Sequence, residues 1–281
     1  MAPALGSQER KAAARGRAPR ATVGGVIVTT APSGDEAEAE RIAARCGPAV
    51  RARPRAGLTL DLLLEEAAGA PVLVLGVNRA DLHLPVRGGV RSFRASVGMA
   101  FLRLLRARKG EVDPLVQMAG LTWGETVLDA TLGLGGDAVI AANATGMQVI
   151  GLEVSPVLAA FAMAGLLRLP EPGREPGRRI EVRWADHRQA LRELPARSVD
   201  VVLLDPMFRS AGEAGPLFEL VREHADHTPL DAATLAEARR VARRGVLIKD
   251  RAPGWELRAL GLEPRQTRRS SPIAFAWVSA S

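Results

Sequence analysis

The amino-acid sequence predicts an α/β protein whose main sheet is mostly parallel and is covered by helices on both faces. Two observations support this fold class. From residue 125 onward, segments with strand character alternate with helical segments. The strand segments, such as VIGLEV and VDVVLLD, are continuous apolar runs, which are typical of parallel strands buried on both faces.

Length and composition indicate one large domain accompanied by a smaller one. The chain has 281 residues, of which 47% are hydrophobic, so it can bury a sizeable core. We expect a disordered basic tail over residues 1–20, because few large apolar residues are present there to repay the entropy of ordering. We expect a small α/β domain over residues 21–95 and the main domain over residues 96–281.

The predicted small domain contains strands, helices and an edge ribbon. Its strands are TVGGVIVTT and PVLVLGV, its helices are SGDEAEAERIAARCG and TLDLLLEEAAG, and its ribbon is NRADLHLPVRGG. The first helix has Ser33 or Asp35 as its N-cap and Gly47 at its end. The segment ASVGMAFLRLLRARKG, residues 95–110, is predicted to be an amphipathic helix.

In the main domain, helices separate five predicted strands, and two further strands complete the sheet. The five strands are ETVLDAT, MQVIGLEV, RIEVRWAD, SVDVVLLD and GVLIKD. The helix after the second strand begins with Ser155 as its cap and Pro156 at its first position. A short helix, WELRALG, precedes LEPRQTRR and SPIAFAWVSA, which we expect to pair antiparallel, with the last strand inserted in the sheet.

The charge balance leaves the class of partner open. Lys and Arg number 38 against 31 Asp and Glu, a net charge of +7. Such an excess favours a nucleic-acid partner, but an ordinary arginine-rich surface produces the same count. The single cysteine, Cys46, excludes a disulfide framework and a cysteine zinc site within one chain, and we predict no metal. No apolar run reaches the ~20 residues of a membrane helix, so we expect a cytoplasmic protein.

Acidic residues stand where successive strands of the main domain end. The first strand ends in DATLGLGGD, which begins with Asp129, continues through a glycine turn and closes with Asp137 near a helix N-terminus. The next strands end in Glu153, Asp186 and Asp205. Because ligands of doubly wound sheets bind at the carboxyl ends of the strands, these residues together predict a nucleoside-cofactor pocket.

The same residues favour S-adenosylmethionine over a dinucleotide. A pyrophosphate needs bare amides at a helix end, where Asp137 would repel it. That carboxylate suits a ligand with an amino group and a cationic sulfonium. Glu153 is placed to accept hydrogen bonds from two ribose hydroxyls. Each residue also has a simpler interpretation, Glu153 and Asp186 as helix caps and His187 as a loop or cap residue.

Four segments carry a resemblance to a known family. They are VLDATLGLGGDAVIAA, GLEVSPVLAA, RIEVRWADHRQAL and SVDVVLLDPMF. They resemble the RsmJ-like class I S-adenosylmethionine-dependent methyltransferases, named for enzymes that methylate N2 of a guanine in 16S ribosomal RNA. The resemblance covers residues 96–281. It implies a Rossmann-like class I fold with a mostly parallel seven-stranded sheet, S-adenosyl-L-methionine as cofactor, and 16S rRNA or the small ribosomal subunit as partner.

The resemblance also implies which residues surround the cofactor. Gly136 and Asp137 would lie by its methionine part, Glu153 and Val154 by its ribose and adenine, Asp186 and His187 beside its adenine, and Asp205 at the methyl-transfer centre. With Asp129, Gly133 and Gly135 of the glycine turn added, the predicted cofactor-binding set is Asp129, Gly133, Gly135, Gly136, Asp137, Glu153, Val154, Asp186, His187 and Asp205. Gly136 stands where the ribosomal enzyme has arginine, Phe208 where it has tyrosine, and Asp186-His187 where it has Ser-Ser, so the substrate stays open.

The strand end DPMF, residues 205–208, resembles the [DN]-P-P-[YF] loop of methyltransferases that act on planar exocyclic amines. Asp205 and the carbonyl of Pro206 would accept the two N–H bonds of the amine and direct its lone pair toward the methyl group. Phe208 would stack on an unpaired or flipped-out base, and Arg209 would hold a flanking phosphate. The simpler interpretation is an Asp-Pro turn with a buried ring.

Other functions remain open from the sequence. The chain is also compatible with a methyltransferase for another RNA, DNA or a small molecule, with an NAD(P)-dependent oxidoreductase, and with a non-catalytic RNA-binding module that keeps the fold. The basic tail and the helix that contains Arg103 would help to hold RNA, unless that helix face is ordinary solvated surface. Lys249 and Asp250 either line the same cleft or form a surface ion pair.

Overall fold

The computed structural model describes residues 25–32, 34–206 and 215–281, and within them the chain forms a five-stranded sheet and a six-stranded sheet. The strands of the first sheet are β1 (Val26–Thr30), β2 (Val50–Ala52), β3 (Val72–Leu75), β4 (Ala80–Val86) and β5 (Gly89–Arg94). The strands of the second sheet are β6 (Val127–Asp129), β7 (Val149–Glu153), β8 (Ile180–Trp184), β9 (Val199–Leu204), β10 (Ala242–Arg251) and β11 (Ile273–Ser279). The α-helices are α1 (Glu36–Arg45), α2 (Leu60–Glu66), α3 (Met99–Arg108), α4 (Pro114–Ala119), α5 (Gly136–Thr145), α6 (Pro156–Leu166), α7 (Arg174–Arg178), α8 (His187–Glu193), α9 (Pro216–His224), α10 (Ala232–Val241) and α11 (Trp255–Ala259).

The first sheet has the strand order β2-β1-β3-β4-β5. Its first three strands pair in parallel, and β3, β4 and β5 pair antiparallel. Strand β1 is buried along its whole length, whereas buried and more accessible residues alternate along β4. This contrast is expected, because β1 is covered on both faces and β4 on one. The predicted ribbon is confirmed as the β4–β5 hairpin, while β2 is a short strand that the sequence did not predict.

The second sheet has the strand order β11-β10-β9-β6-β7-β8. Strand β6 pairs in parallel with both β7 and β9, so successive strands are added on opposite sides of it. This reversal is the switch point of a doubly wound sheet, where the carboxyl ends of neighbouring strands leave room for a ligand. Strand β11 runs antiparallel to β10. The strand order and the reversed last strand agree with the predicted fold.

The predicted seventh strand of this sheet is reduced to a single bridge, so the described residues form six strands here rather than seven. Arg265 exchanges both backbone hydrogen bonds with Phe275 of β11, at 2.7 and 2.8 Å. Pro264 precedes it and has no N–H to donate, which stops the pairing on that side. Strand β11 therefore has β10 on one side and Arg265 on the other. This is the arrangement expected of a last strand that is inserted in the sheet.

Helix α6 lies between the two sheets. Every residue from Val157 to Leu166 is buried, and the helix contacts strands of both sheets. A helix that is apolar all round is stable only when it is covered on all sides. Just beyond its end, Arg168 donates two hydrogen bonds to Glu38 of α1, at 2.6 and 2.7 Å. This ion pair ties the helices of the first sheet to the second.

Helices α7 and α9 occupy segments that the sequence predicted as loops. In α9, Leu217, Leu220 and Val221 follow one helical face, and Pro216 stands at its first position. In α7, a proline and a glycine lie within five residues, so helix propensity is low and packing decides its conformation. Within the described part of the chain, no helix has both the length and the apolar character required to span a membrane.

Candidate active site

A cleft of about 960 Å³ lies at the carboxyl ends of β6, β7, β9 and β10. Its floor consists of the turn after β6, the end of β7, the start of α8 and the tip of β9. One wall comes from β5 and the start of α3, and another comes from α9 and the segment after it. Both sheets therefore contribute to the same cleft.

The glycine turn between β6 and α5 brings its backbone to the floor of the cleft. Gly133 and Gly135 have φ values of +55° and +82°, in the left-handed region that favours glycine. The N–H of Gly133 donates to Oε2 of Glu153 at 2.9 Å. A Cβ at Gly135 would lie 3.0 Å from the side chain of Leu166, so α6 packs closely against this turn.

Glu153, at the end of β7, has its carboxylate held by backbone N–H groups. Its Oε1 accepts from Ser155 at 2.8 Å, and its Oε2 accepts from Gly133. Burial raises the pKa of Glu153 to about 7, and the two N–H groups oppose that rise. Each carboxylate oxygen has a second lone pair. Glu153 can therefore accept two more hydrogen bonds from a ligand in the cleft.

At the other end of the cleft, acidic and basic side chains alternate in a series of ion pairs, which we call the charged chain. Asp113, the N-cap of α4, accepts from Nε and Nη2 of Arg103 at 2.7 and 2.8 Å. Nη1 of Arg103 donates to Asp137 at 2.7 Å. Nζ of Lys249 donates to Asp137 and to Asp205, at 2.5 Å in each case. The charged chain thus joins α3, α4, α5 and β10 to the tip of β9.

Burial is the largest influence on the pKa values around the charged chain. It would raise the pKa of Asp137, but Lys249 and Arg103 outweigh it and hold that pKa at about 2. Burial also raises the pKa of Asp205. Lys249 lowers this pKa, and Asp137 raises it further. Burial likewise raises the pKa of Asp129, beside Asp137, to about 8, so Asp129 is protonated at neutral pH. With Asp205 ionised, three carboxylates face two cations, and the charged chain carries one net negative charge.

Lys249 and Asp250 point to opposite faces of the second sheet, because neighbouring residues on a strand do so. The parallel register of β9 and β10 places Lys249 beside Asp205. Asp250 instead accepts the N–H groups of the first turn of α11, at 2.9 and 3.2 Å. Of this pair, Lys249 lines the cleft, and the side chain of Asp250 acts as a helix cap.

The start of α8 contributes His187 to the cleft, but not the acidic residue before it. Asp186 is the N-cap of α8, and its carboxylate accepts both the backbone N–H and the guanidinium of Arg188, at 2.8 and 2.9 Å. Burial lowers the pKa of His187, so its ring is neutral at pH 7. Asp226, which follows α9, also binds Arg188, at 2.7 Å, and lines the cleft.

The mouth of the cleft carries accessible apolar side chains. Met99 at the start of α3 is 66% exposed, and Phe218 of α9 is 43% exposed. Arg91 of β5 binds Glu223 of α9 at 2.8 Å, which connects the two walls. Accessible large apolar groups at the opening of a cleft are typical of a surface that receives a ligand.

The family model described as "Putative SAM-dependent methyltransferase" matches residues 92–250, more than half of the chain. The chain belongs to this family. The uncharacterized protein YpiP of Bacillus subtilis is 35% identical over 217 residues, which cover 74% of this chain and 82% of that protein. Ribosomal RNA small subunit methyltransferase J of Alkalilimnicola ehrlichii is 34% identical over 221 residues, which cover 70% of this chain and 83% of that protein.

A solved structure of a similar fold is a SAM-dependent methyltransferase from Neisseria gonorrhoeae. It matches this methyltransferase with a TM-score of 0.59 over 90% of this chain and 95% of that one. The sequences are 19% identical, so the match concerns the fold. The predicted Rossmann-like class I methyltransferase fold, with a small N-terminal α/β unit, is confirmed.

This methyltransferase uses S-adenosylmethionine, and the residues of the cleft fit that cofactor. The buried carboxylate of Glu153 retains lone pairs for two hydroxyl groups. Asp137 lies in the first turn of α5 with a pKa of about 2, so its negative charge would repel a pyrophosphate there. The net negative charge of the charged chain suits a cationic ligand. These observations disfavour the dinucleotide alternative for the same physical reason that the sequence suggested.

Most residues predicted to bind the cofactor line the cleft. Those that do so are Asp129, Gly133, Gly136, Asp137, Glu153, Val154, His187 and Asp205, together with Pro206. Gly135 shapes the turn behind the lining, and Asp186 caps α8 beside it. Phe208 and Arg209 lie outside the described residues. The roles assigned to all of these residues stay predictions.

The structure corrects the prediction for Arg103, which we expected on an RNA-binding helix face. Its side chain is 23% exposed and is enclosed by Asp113 and Asp137. Arg103 adjoins the buried stripe of α3, formed by Ala100 and Leu104, and this periodicity could have indicated its burial. The sequence carried no comparable signal for Phe218, Asp226 or the ion pairs of Lys249.

Proposed function

We propose that this methyltransferase methylates an exocyclic amine of ribosomal RNA, the N2 of a guanine, with 16S rRNA or the small ribosomal subunit as its substrate. The observation that carries the proposal is that Asp205 and Pro206, at the tip of β9, share one cleft with Glu153 and the glycine turn. The relative named ribosomal RNA small subunit methyltransferase J, at 34% identity, supports the choice of RNA.

On the cofactor side, the proposal assigns the ribose hydroxyls to Glu153 and the adenine end to Val154 and His187. Gly133 and Gly136 leave the backbone accessible, and a Cβ at Gly136 would find only ordinary contacts, at 3.6 Å. When bound, S-adenosylmethionine supplies an electrophilic methyl group on a cationic sulfonium. The net negative charge of the charged chain would stabilise positive charge in this part of the cleft.

On the acceptor side, Asp205 and the carbonyl of Pro206 would accept the two N–H bonds of the amine. An amine conjugated to a ring is a poor nucleophile, so its orientation matters more than its basicity. Held by these two acceptors, the nitrogen would direct its lone pair at the methyl group. The nitrogen gains the methyl group and loses one proton, for which Asp205 is the nearest acceptor in this proposal.

The base itself would enter between Met99 and Phe218 as an unpaired or flipped-out nucleotide. Phe208 keeps its predicted stacking role, and residues 21–95 are proposed to form the domain that supplies one wall through β5. The basic tail, residues 1–20, would contact RNA phosphates. The proposal assigns the protein to the cytoplasm, where its substrate would be.

The test is incubation with tritiated S-adenosylmethionine and three acceptors from a strain that lacks the gene: small ribosomal subunits, naked ribosomal RNA and bulk tRNA. We expect label in 16S rRNA, and digestion to nucleosides should identify N2-methylguanosine. Asp205→Ala should lose the label yet still bind S-adenosylhomocysteine in calorimetry. Asp61→Ala, which removes an exposed carboxylate from α2, is the matched control. Label in tRNA alone, or in no RNA while the cofactor still binds, would overturn the substrate.

A further inference from the structure

We infer that Lys249 is a positioning residue of the acceptor site, which holds Asp205 oriented and ionised so that it can accept the N–H bond of the substrate amine. The inference rests on the proposed function, because that function makes Asp205 the group that binds the amine. It concerns a residue that lines the cleft beside Asp205 and that is inferred to act on the amine through Asp205.

Lys249 and Asp205 both line the cleft, and the cation is the more buried of the two. The side chain of Lys249 is 15% exposed and that of Asp205 is 33% exposed. Nζ of Lys249 binds Oδ2 of Asp205. The backbone N–H of Asp205 donates to Oγ1 of Thr131 at 2.6 Å. These two contacts fix the residue from both ends, and among the residues that the structure describes none binds Oδ1, which is left for the substrate.

The surroundings of Asp205 would neutralise it if Lys249 were absent. The charged and titratable groups that act on it are Lys249 from β10, Asp137 from α5, Asp129 from β6 and Arg103 from α3. Asp137 carries a full negative charge nearby, and burial disfavours a second one. Without Lys249, the pKa of Asp205 would rise further, because burial and Asp137 both raise it and Lys249 would no longer oppose them. A protonated carboxyl is a donor at one oxygen, so it would lose part of its capacity to accept the amine.

The remainder of the charged chain holds Lys249 in turn. Two of its three N–H donors bind Asp137 and Asp205, which fixes the direction of the ammonium group. Arg103 holds Asp137 from the other side, and a fork of two hydrogen bonds from Arg103 to Asp113 anchors it on α4. The planar fork of arginine makes such an anchor rigid. The position of Asp205 therefore depends on groups from α3, α4 and α5 as well as on Lys249.

A purely structural ion pair would have the same geometry, and it makes a different prediction. If Lys249 only joins β9, β10 and α5, its loss should lower the free energy of unfolding without moving the pH dependence of methyl transfer. If it acts through the charge of Asp205, the pH dependence must move. A third possibility, that Lys249 binds the cofactor, would raise the Kd for S-adenosylhomocysteine.

The test compares Lys249→Met, Lys249→Arg and Asp205→Asn, the double variant Lys249→Met with Asp205→Asn, and the control Arg174→Met. Arg174 is an exposed cation before β8, at the edge of the sheet opposite the cleft. The kcat and KM for methyl transfer are measured from about pH 6 to about pH 10, a range that spans the expected carboxyl titration. Lys249→Gln replaces the methionine variant if that variant does not fold.

In the pH profile of kcat, the fall in activity at low pH is called the acid limb. In Lys249→Met we expect the acid limb to move to higher pH by roughly 1–3 units, the shift that one adjacent opposite charge produces. An ionised acceptor is needed, so activity should fall at low pH and recover at high pH. At a fixed pH below both limbs, kcat should be lower than that of the wild type by about tenfold for each unit of that shift. Lys249→Arg keeps a cation and should keep the original limb. Asp205→Asn also removes the acceptor of the amine proton, so the double variant should have low activity, and that residual activity should show no acid limb because an amide does not titrate.

An acid limb that stays in place in Lys249→Met would overturn the inference, as would a limb that persists in the double variant. A raised Kd for S-adenosylhomocysteine with an unmoved limb would assign Lys249 to the cofactor instead. ¹³C NMR of labelled aspartate carboxyls, with the Asp205 signal identified by its loss in Asp205→Asn, follows the same titration without substrate. If the wild type labels no RNA, the proposed function fails, and the NMR titration still decides whether Lys249 controls the charge of Asp205.

Discussion

At one end of the cleft, backbone N–H groups hold the carboxylate of Glu153, and at the other end buried cations hold those of Asp137 and Asp205. The donors to Glu153 lie two and 20 residues away from it in sequence. The cations that bind Asp137 and Asp205 lie 34, 112 and 44 residues away from them. The first end is therefore built by the turns that follow two neighbouring strands, whereas the second requires several helices and a strand to pack correctly. Mutations at the second end should disturb the fold, and mutations at the first should mainly disturb binding.

The largest effect is expected from Arg103→Met, at the end of the cleft held by cations. The substitution leaves the buried carboxylates of Asp113 and Asp137 without this cation. Removing one partner of a buried ion pair costs about 3–5 kcal/mol, so the free energy of unfolding should fall by that amount in urea denaturation.

Arg106→Met is the control, because Arg106 lies exposed on the same helix. It should change the free energy of unfolding by no more than about 0.5 kcal/mol. A loss below about 1 kcal/mol in Arg103→Met would contradict the comparison, since the charged chain would then contribute little to the fold.

The next effect concerns Glu153, at the end of the cleft held by backbone. Its raised pKa of about 7, against 4.5 for an ordinary glutamate, means that the free protein binds a proton there below pH 7. An ionised carboxylate accepts hydrogen bonds from hydroxyl groups at both oxygens. The affinity for S-adenosylhomocysteine should thus rise about tenfold from about pH 6 to about pH 8, following the ionised fraction. Calorimetry at several pH values measures it.

Folding should respond to pH in the opposite sense to binding at this residue. Because the pKa of Glu153 is raised in the folded state, ionising it costs stability as the pH rises from 4.5 toward about 7.

The control for the binding prediction is Glu153→Gln, which cannot titrate at this position and should bind S-adenosylhomocysteine with a nearly constant affinity. An equal pH dependence in this variant would assign the titration to another group of the cleft.

A smaller effect is expected at the mouth, where Phe218 stands at the opening and touches neither set of carboxylates. Phe218→Ala should raise the KM for RNA about fivefold, or about 1 kcal/mol, the lower end for stacking on a base. The Kd for S-adenosylhomocysteine should not change. Trp123→Ala removes another exposed aromatic side chain, before the amino end of β6, and should leave both constants unaltered. An unchanged KM for RNA in Phe218→Ala would show that the base does not contact this wall of the cleft.

The smallest effect separates Asp186 from the cofactor. Asp186→Ala removes the cap of α8 and should lower the free energy of unfolding by about 0.5–1 kcal/mol. Because its carboxylate binds Arg188 and does not line the cleft, the Kd for S-adenosylhomocysteine should stay the same. A marked loss of affinity would support the adenine contact that the resemblance implied.

Local patterns predicted those features that depend on neighbouring residues. The cap and first turn of α6, at Ser155 and Pro156, follow from residue preferences, and the structure contains both. Asp35 caps α1 through the N–H of Ala37 at 3.0 Å, as one of the two predicted candidates. Glu153 was identifiable for the same reason, because a carboxylate at a strand end can reach the turn beside it. The caps span few residues and are visible in short stretches of sequence, whereas the contact of Glu153 with Gly133 joins the ends of two neighbouring strands.

Long-range contacts were not predictable in this way. Whether Arg103 faces RNA or is buried depends on Asp113 and Asp137, which approach it only after α4 and α5 have packed. Whether Lys249 or Asp250 enters the cleft depends on the register of β10 against β9. Helix α9 is short, and its apolar face stabilises the helix only where another element covers it.

The sequence by itself determined the fold class, favoured S-adenosylmethionine as the cofactor and predicted the edge of the sheet at which it would bind, because apolar periodicity and strand-end residues act locally. Tertiary structure alone decided which charges meet. A carboxylate in water needs no partner, but a buried one needs a cation or donors within hydrogen-bond distance. Those partners come from distant parts of the chain, so the ionisation and orientation of Asp205 are properties of the packed molecule rather than of the DPMF segment.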